Sequence, residues 1–172
     1  MILQHNEIEV QANLEQKPEP VCRVLVADDE ASMREFATHA LTYNGYEAEA
    51  VESGMAALAA LRAEHYDLVL TDFNMPNGSG TDLIIKMHSE GIILPVIMMT
   101  GSELTKELVT LTSMLHVETI LQKPFGIDVL LAAVKNAWRP GNENSMDPTQ
   151  DLPVRGSEEM PAQYRNHQRK HW

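Results

Sequence analysis

Residues 67–80 read DLVLTDFNMPNGSG, and the organisation of the whole chain can be worked outward from them. Asp67 to Thr71 is a short aliphatic and β-branched run that stops at a carboxylate, Asp72. Such a run, bounded by turn residues, reads as a buried strand. Asn74-Met75-Pro76-Asn77-Gly78-Ser79-Gly80 is a turn, because proline presets φ and glycine and asparagine tolerate conformations other residues avoid. A helix from about Thr81 to Glu90 follows. Strand, turn and helix make one β-α unit.

The same unit recurs on both sides. Upstream, Val21 to Ala27 is a strand that stops at three acids, Asp28, Asp29 and Glu30. Ser32 to Tyr43 has Met33, Phe36, Ala37, Ala40 and Leu41 at helical spacing, and Asn44-Gly45 ends it. Tyr46 to Val51 is a second strand. Ser53 is placed to cap a helix running to about Glu64, with Met55, Leu58, Ala59 and Leu61 inward. Downstream, Pro95 to Met99 is a strand ending at Thr100-Gly101. Ser102 is expected to cap the next helix, whose stripe is Leu104, Leu108, Leu111 and Leu115. Glu118 to Gln122 is a weaker strand ending at Lys123-Pro124. Gly126 to Trp138 is the last helix, with Ile127, Leu130, Leu131 and Val134 inward.

Five strands alternating with five helices predict an α/β fold: a doubly wound (βα)5 five-stranded parallel sheet with helices on both faces. The aliphatic runs of strands one, three and four suit central strands, buried on both sides.

Composition sets the limits. The chain has 172 residues, 44% apolar and 22% charged, enough for one domain with tails. Lys17-Pro18-Glu19-Pro20 marks residues 1–20 as an N-terminal tail or linker. Residues 21–139 are the expected folded domain. Residues 140–172 are rich in Pro, Gly, Asn, Asp and Glu without periodicity, and a disordered tail is expected there. That tail is too short and polar for an output domain. The net charge is −12, and the acids concentrate in residues 21–139, with 16 against 8 bases. Nucleic-acid binding needs clustered Lys and Arg, so it is not expected. No apolar run is long enough to span a membrane, and the N-terminus lacks an export signal, so a cytoplasmic location is expected. Cys22 is the single cysteine, which excludes an internal disulfide.

The chemistry lies at the strand ends. Strand one stops at Asp28-Asp29, strand three at Asp72, strand four at Thr100 and strand five at Lys123. In an open parallel sheet these ends share one edge, where ligands bind. Three carboxylates brought together repel one another and call for a cation or a proton. Hard oxygen donors in a compact site suit Mg2+. A cation there reduces the repulsion between a carboxylate and an approaching phosphoryl group, so the carboxylate can act as nucleophile. Asp72, on the middle strand, is the best placed. Lys123 supplies a positive charge and Thr100 a hydroxyl donor for phosphoryl oxygens.

At these residues the sequence resembles the receiver domain of two-component response regulators. The matching pieces are VLVADDE, LTDFNMPNGSG, VIMMTG and LQKPF, in the family's order, over about residues 21–138. The resemblance implies a flavodoxin-like receiver fold in which Asp72 accepts a phosphoryl group from a histidine kinase or phosphotransfer protein. It implies Mg2+ held by Asp28, Asp29, Asp72 and the backbone carbonyl of Asn74. Thr100 would be the switch hydroxyl, Lys123 would pair with the phosphoryl oxygens, and the Lys123-Pro124 bond would be cis. Asn74 and Ser102 stand where the family tunes dephosphorylation. Two departures are visible. Ile120 occupies the position of the family's switch aromatic, and His116-Val117 replaces the usual Gly-Ala before strand five.

The function so implied is a phosphoacceptor that changes its protein contacts in trans, without an output domain. It is not an enzyme beyond phosphorylating itself from small donors and dephosphorylating itself. A second reading, encouraged by Ile120, is an interaction module that keeps the site without signalling through it. A third is a haloacid-dehalogenase-like phosphatase, but that family needs its nucleophile on the first strand with a second Asp two residues on, where this chain has Glu30. His39, His65, His88 and His116 are scattered, with no pair at metal-ligand spacing, and read as surface or boundary histidines. The methionines read as core fillers.

Overall fold

The computed structural model describes residues 21–138, Asn77 excepted. The expected N-terminal linker and the expected disordered tail lie outside the described residues. The elements are β1 (Arg23–Ala27), α1 (Ala31–Tyr43), β2 (Glu47–Val51), α2 (Gly54–Ala63), β3 (Leu68–Asp72), α3 (Gly80–Ser89), β4 (Val96–Thr100), α4 (Lys106–Met114), β5 (Thr119–Gln122) and α5 (Ile127–Ala137). All pairings are parallel, in the order β2-β1-β3-β4-β5.

Successive side chains on a strand point to opposite faces, so a continuous aliphatic strand feeds two cores. Val24 and Val26 of β1, Leu68 and Leu70 of β3, and Ile97 and Met99 of β4 face one way, against Ala37 and Leu41 of α1 and Leu130 and Val134 of α5. Leu25, Ala27, Val69, Val96 and Met98 face the other, against Ala57 and Leu58 of α2, Leu83, Ile84 and Met87 of α3, and Leu111 of α4. Burial of one such side chain stabilises by about 1.5–3 kcal/mol. The three central strands are therefore strongly held. β2 is an edge strand, half-buried, with Glu47 exposed at its start.

Helix starts follow local chemistry. Ser53 accepts from the Ala56 N–H at 3.2 Å, as its sequence position suggests. Ser79 and Asp82 form a reciprocal capping box that fixes the entry to α3. Asn44 closes α1, and Gly45 takes φ +85°, a left-handed conformation that glycine adopts without strain.

Four inward expectations fail. Met55, 49% exposed, and Ala59 face solvent, because Gly54 is the inward residue at the start of α2. A Cβ on Gly54 would stand 2.7 Å from the Gly78 carbonyl oxygen, so this close approach sets the rotation of the helix. Its buried face is then Gly54, Ala57 and Leu58. Ser102 does not cap α4. Its N–H is turned back to the Thr100 hydroxyl, Thr105 takes the cap by accepting from the Leu108 N–H, and Leu104 is left exposed ahead of the helix. Ile127, the first residue of α5, is exposed beside Phe36 and Tyr43 in an open groove. Among the described residues no helix is long and apolar enough to cross a membrane.

Candidate functional site

The carboxyl ends of β1, β3, β4 and the chain after β5 bring Asp28, Asp72, Thr100 and Lys123 to one edge. Each is buried or nearly so: Asp28 is 0% exposed, Asp72 5% and Thr100 0%. A hydrogen bond from the Lys123 N–H to the Thr100 carbonyl, 2.7 Å, ties the end of β5 to β4. The Lys123-Pro124 peptide is cis, as the resemblance implied.

The Lys123 ammonium bridges the two buried acids. Nζ is 2.6 Å from Asp28 Oδ2 and 2.7 Å from Asp72 Oδ1. The remaining oxygens are held by the backbone: Asp28 Oδ1 accepts from the Glu30 N–H at 2.9 Å, and Asp72 Oδ2 from the Asn74 N–H at 2.7 Å. Burial pushes the Asp72 carboxyl above the ordinary aspartate range. Lys123 and the Asn74 N–H oppose that shift, while Asp28 adds to it. Burial also presses on Lys123, but its bonds to Asp28 and Asp72 outweigh this and raise its pKa. Asp72 is thus a fixed carboxylate whose negative charge is only partly compensated.

Asn74 reaches across to Ser102, its Nδ2 donating to Ser102 Oγ at 3.4 Å. The two residues expected to tune dephosphorylation therefore meet over the mouth of the site. Thr100 Oγ1 accepts from the Ser102 N–H at 3.0 Å. Ile120 is half-buried in β5, opposite Met98 of β4. Asp29 is exposed, unlike Asp28. Among the described residues no group of three or more His, Cys, Asp or Glu stands ready as a metal cage. The donor set is nevertheless hard: two buried carboxylates with an exposed third beside them. That chemistry fits Mg2+, which keeps several waters, better than a softer metal.

Two supporting residues were not singled out from the sequence. Arg34, on α1, donates from Nη1 to the carbonyls of Asp28 and Asp29 at 2.8 and 2.9 Å, which holds the acid-bearing loop. Its only signal was a basic residue in the first turn after three acids. Gly80 lies against Asp72: a Cβ there would stand 2.3 Å from the Asp72 carbonyl oxygen. The Gly78-Ser79-Gly80 run carried that signal, though it read simply as a turn.

Comparison with known proteins agrees with this fold. The family model of the response regulator receiver domain matches residues 24–135. The response regulator MprA of Mycolicibacterium vanbaalenii is 31% identical over 117 residues, covering 68% of this chain and 50% of that protein. The probable transcriptional regulatory protein TcrX of Mycobacterium tuberculosis is 30% identical over 132 residues, covering 76% of this chain and 56% of its own length. The chain thus spans about half the length of these curated relatives. Among solved structures, Vibrio cholerae chemotaxis protein CheY4 superposes with a TM-score of 0.63 at 28% identity, over 69% of this chain and 99% of that one. Thermotoga maritima TrrA, solved in complex with Mg2+-BeF, gives a TM-score of 0.61 at 28% identity, over 68% of this chain and 99% of that one.

Proposed function

The chain belongs to the response regulator receiver family of two-component signalling, and we propose that it is a phosphorylation-controlled switch of protein contacts with Asp72 as phosphoryl acceptor. The observation that carries this reading is the placement of Asp72. It is buried at the sheet edge, held by the Asn74 N–H and Lys123, with Asp28 beside it.

In the proposed step, an Asp72 carboxylate oxygen forms a bond to phosphorus as the P–N bond to a donor histidine breaks. The imidazole leaves with the electron pair of that bond, and the product is an acyl phosphate on Asp72. The donor is a histidine kinase or a phosphotransfer protein. Backbone hydrogen bonding fixes the acceptor carboxyl, so little reorganisation precedes attack. Lys123 is close enough to follow the new charge onto a phosphoryl oxygen, and the Thr100 hydroxyl is the candidate donor to another. Mg2+ would be held by Asp28, Asp29, Asp72 and the Asn74 carbonyl, where it would offset the charge of the phosphoryl group. Asn74 and Ser102 flank the route by which water would reach the acyl phosphate. On this reading the protein is a phosphoacceptor, not a catalyst acting on other molecules. Residues 21–139 form the switching unit, and 1–20 and 140–172 flank it. The changed contacts are made with another protein.

Ile120 favours one alternative. An aliphatic side chain cannot report the modified state as an aromatic ring would, so partner binding could be independent of phosphorylation.

The test is labelling by acetyl phosphate with Mg2+, read by intact mass. One added phosphoryl group on wild type and none on Asp72→Asn is the expected result. Labelling that survives in Asp72→Asn contradicts the acceptor assignment. Equal partner binding with and without a beryllofluoride mimic would favour the phosphorylation-independent module.

A further inference from the structure

His88 and His116 are 28 positions apart, yet their rings meet edge to face, with centroids 6.2 Å apart and planes at 65°. This corrects the reading of the histidines as scattered. His88 is the penultimate residue of α3, and His116 ends the turn between α4 and β5. Both are exposed. Both are also anchored, because Met87 beside one and Leu115 beside the other are buried in the same core. The rings are therefore presented to solvent from fixed backbones at the end of the sheet opposite Asp72.

The backbone of His116 adds a second, independent observation. It takes φ +56°, the only non-glycine residue with positive φ among those described. It follows the C-cap Leu115, and the Val117 N–H closes back on the Thr112 carbonyl at 3.0 Å. This is the helix-ending position where glycine is favoured because it carries no Cβ strain. Residues held in such conformations cluster where a side chain has a task.

We propose that His88 and His116 form a two-imidazole site for a divalent transition metal of the Zn2+ type, which would clamp the end of α3 to the α4–β5 turn. Imidazole nitrogens are the usual ligands of zinc and its neighbours, while Mg2+ prefers oxygen. A zinc ion bonded to two imidazoles at about 2.0–2.1 Å and at the tetrahedral angle leaves their ring centres roughly 5 Å apart, so the two exposed rings, 6.2 Å apart here, would close by about 1 Å on binding it. Water completes the tetrahedron. The site is distinct in ligand type and location from the carboxylate cleft, and it stands independently of the phosphoryl chemistry.

The experiment is a Zn2+ titration of the full chain by calorimetry, in chelator-stripped buffer, with parallel thermal melts. Wild type, His88→Ala and His116→Gly are compared. The histidines outside the pair are common to all three proteins, so their background binding cancels. Wild type should bind one more Zn2+ than either variant, or bind it at least about tenfold more tightly, and zinc should raise only the wild-type melting temperature. His116→Gly should melt higher than wild type without metal, since it removes the left-handed strain. That separates loss of a ligand from loss of fold. Identical isotherms for all three proteins, or loss in only one variant, would overturn the proposal.

Discussion

The two ends of the sheet each gather carboxylates around one cation, and only one of them does so out of reach of water. At the carboxyl end, Lys123 bridges Asp28 and Asp72, which are almost completely buried. At the amino end, Arg23 lies near Glu47, Glu49 and Glu64, all substantially exposed, and its guanidinium stacks 4.7 Å from the Tyr66 ring centroid. Its backbone N–H donates to Asp67 at 2.8 Å, and the Tyr66 hydroxyl donates to Glu49 at 2.7 Å. Burial and that bond push the Tyr66 phenol up to about 12, so it remains a neutral donor. The Arg23 cluster is a clasp in which water screens every acid. The Lys123 cluster has little water to screen it, and burial leaves the Asp72 carboxyl with a raised pKa. Burial, more than the count of charges, separates the two clusters.

Breaking Lys123 should have the largest effect. Lys123→Met leaves two buried carboxylates without their cation, and a loss of about 3–5 kcal/mol is expected from urea unfolding at pH 7. Labelling by acetyl phosphate should vanish with it. A loss below about 1 kcal/mol, the range of exposed pairs, would put both ends of the sheet in one class.

Gly80→Ala should come next. The added carbon would press on the Asp72 carbonyl and move the end of β3, at a cost of about 1–3 kcal/mol. A melting temperature unchanged by this substitution would show that the β3–α3 connection has room to shift.

Asp72→Asn tests the electrostatic half of the comparison. A carboxyl with a folded pKa above its unfolded value contributes stability below the unfolded pKa and loses it as pH rises through the folded one. At neutral pH the charged Asp72 is therefore a cost, and Asp72→Asn should melt higher than wild type. The gap should close below about pH 4, where aspartate takes up its proton in both states. A variant that melts lower at pH 7 would mean that the bond to Lys123 outweighs burial. The smallest effect belongs to Arg23→Met. It should cost less than Lys123→Met and leave labelling unchanged, and its melting temperature should approach wild type's in high salt. A labelling defect there would show that the two ends are coupled.

Most of this was legible in the chain because strand ends are marked twice, by an aliphatic run and by the polar residue that stops it. Asp28, Asp72, Thr100 and Lys123 were all found that way, and the buried, Lys123-bridged geometry is in keeping with it. The misread positions have local causes that side-chain hydropathy does not carry. The side of α2 that turns inward is set by Gly54, which has no hydrophobic signal, because its missing side chain lets the Gly78 backbone approach. Ser102 looks like a cap by composition, but its hydroxyl oxygen accepts from Asn74 and Thr105 caps α4 instead. Arg34 reaches carbonyl groups, which no pattern of side chains encodes. His88 and His116 meet only because α3 and the turn after α4 pack on a common core.

The half-buried edge strand β2 bears on how copies of this protein behave at high concentration. Its sequence, EAEAV, places Glu47 and Glu49 two residues apart along an open margin. Two copies meeting edge to edge through β2 would set one glutamate row against another, and like charges directly opposite are unfavourable. The β2 edge therefore disfavours pairing with a second copy of itself, and crowding alone should not extend the sheet through that edge.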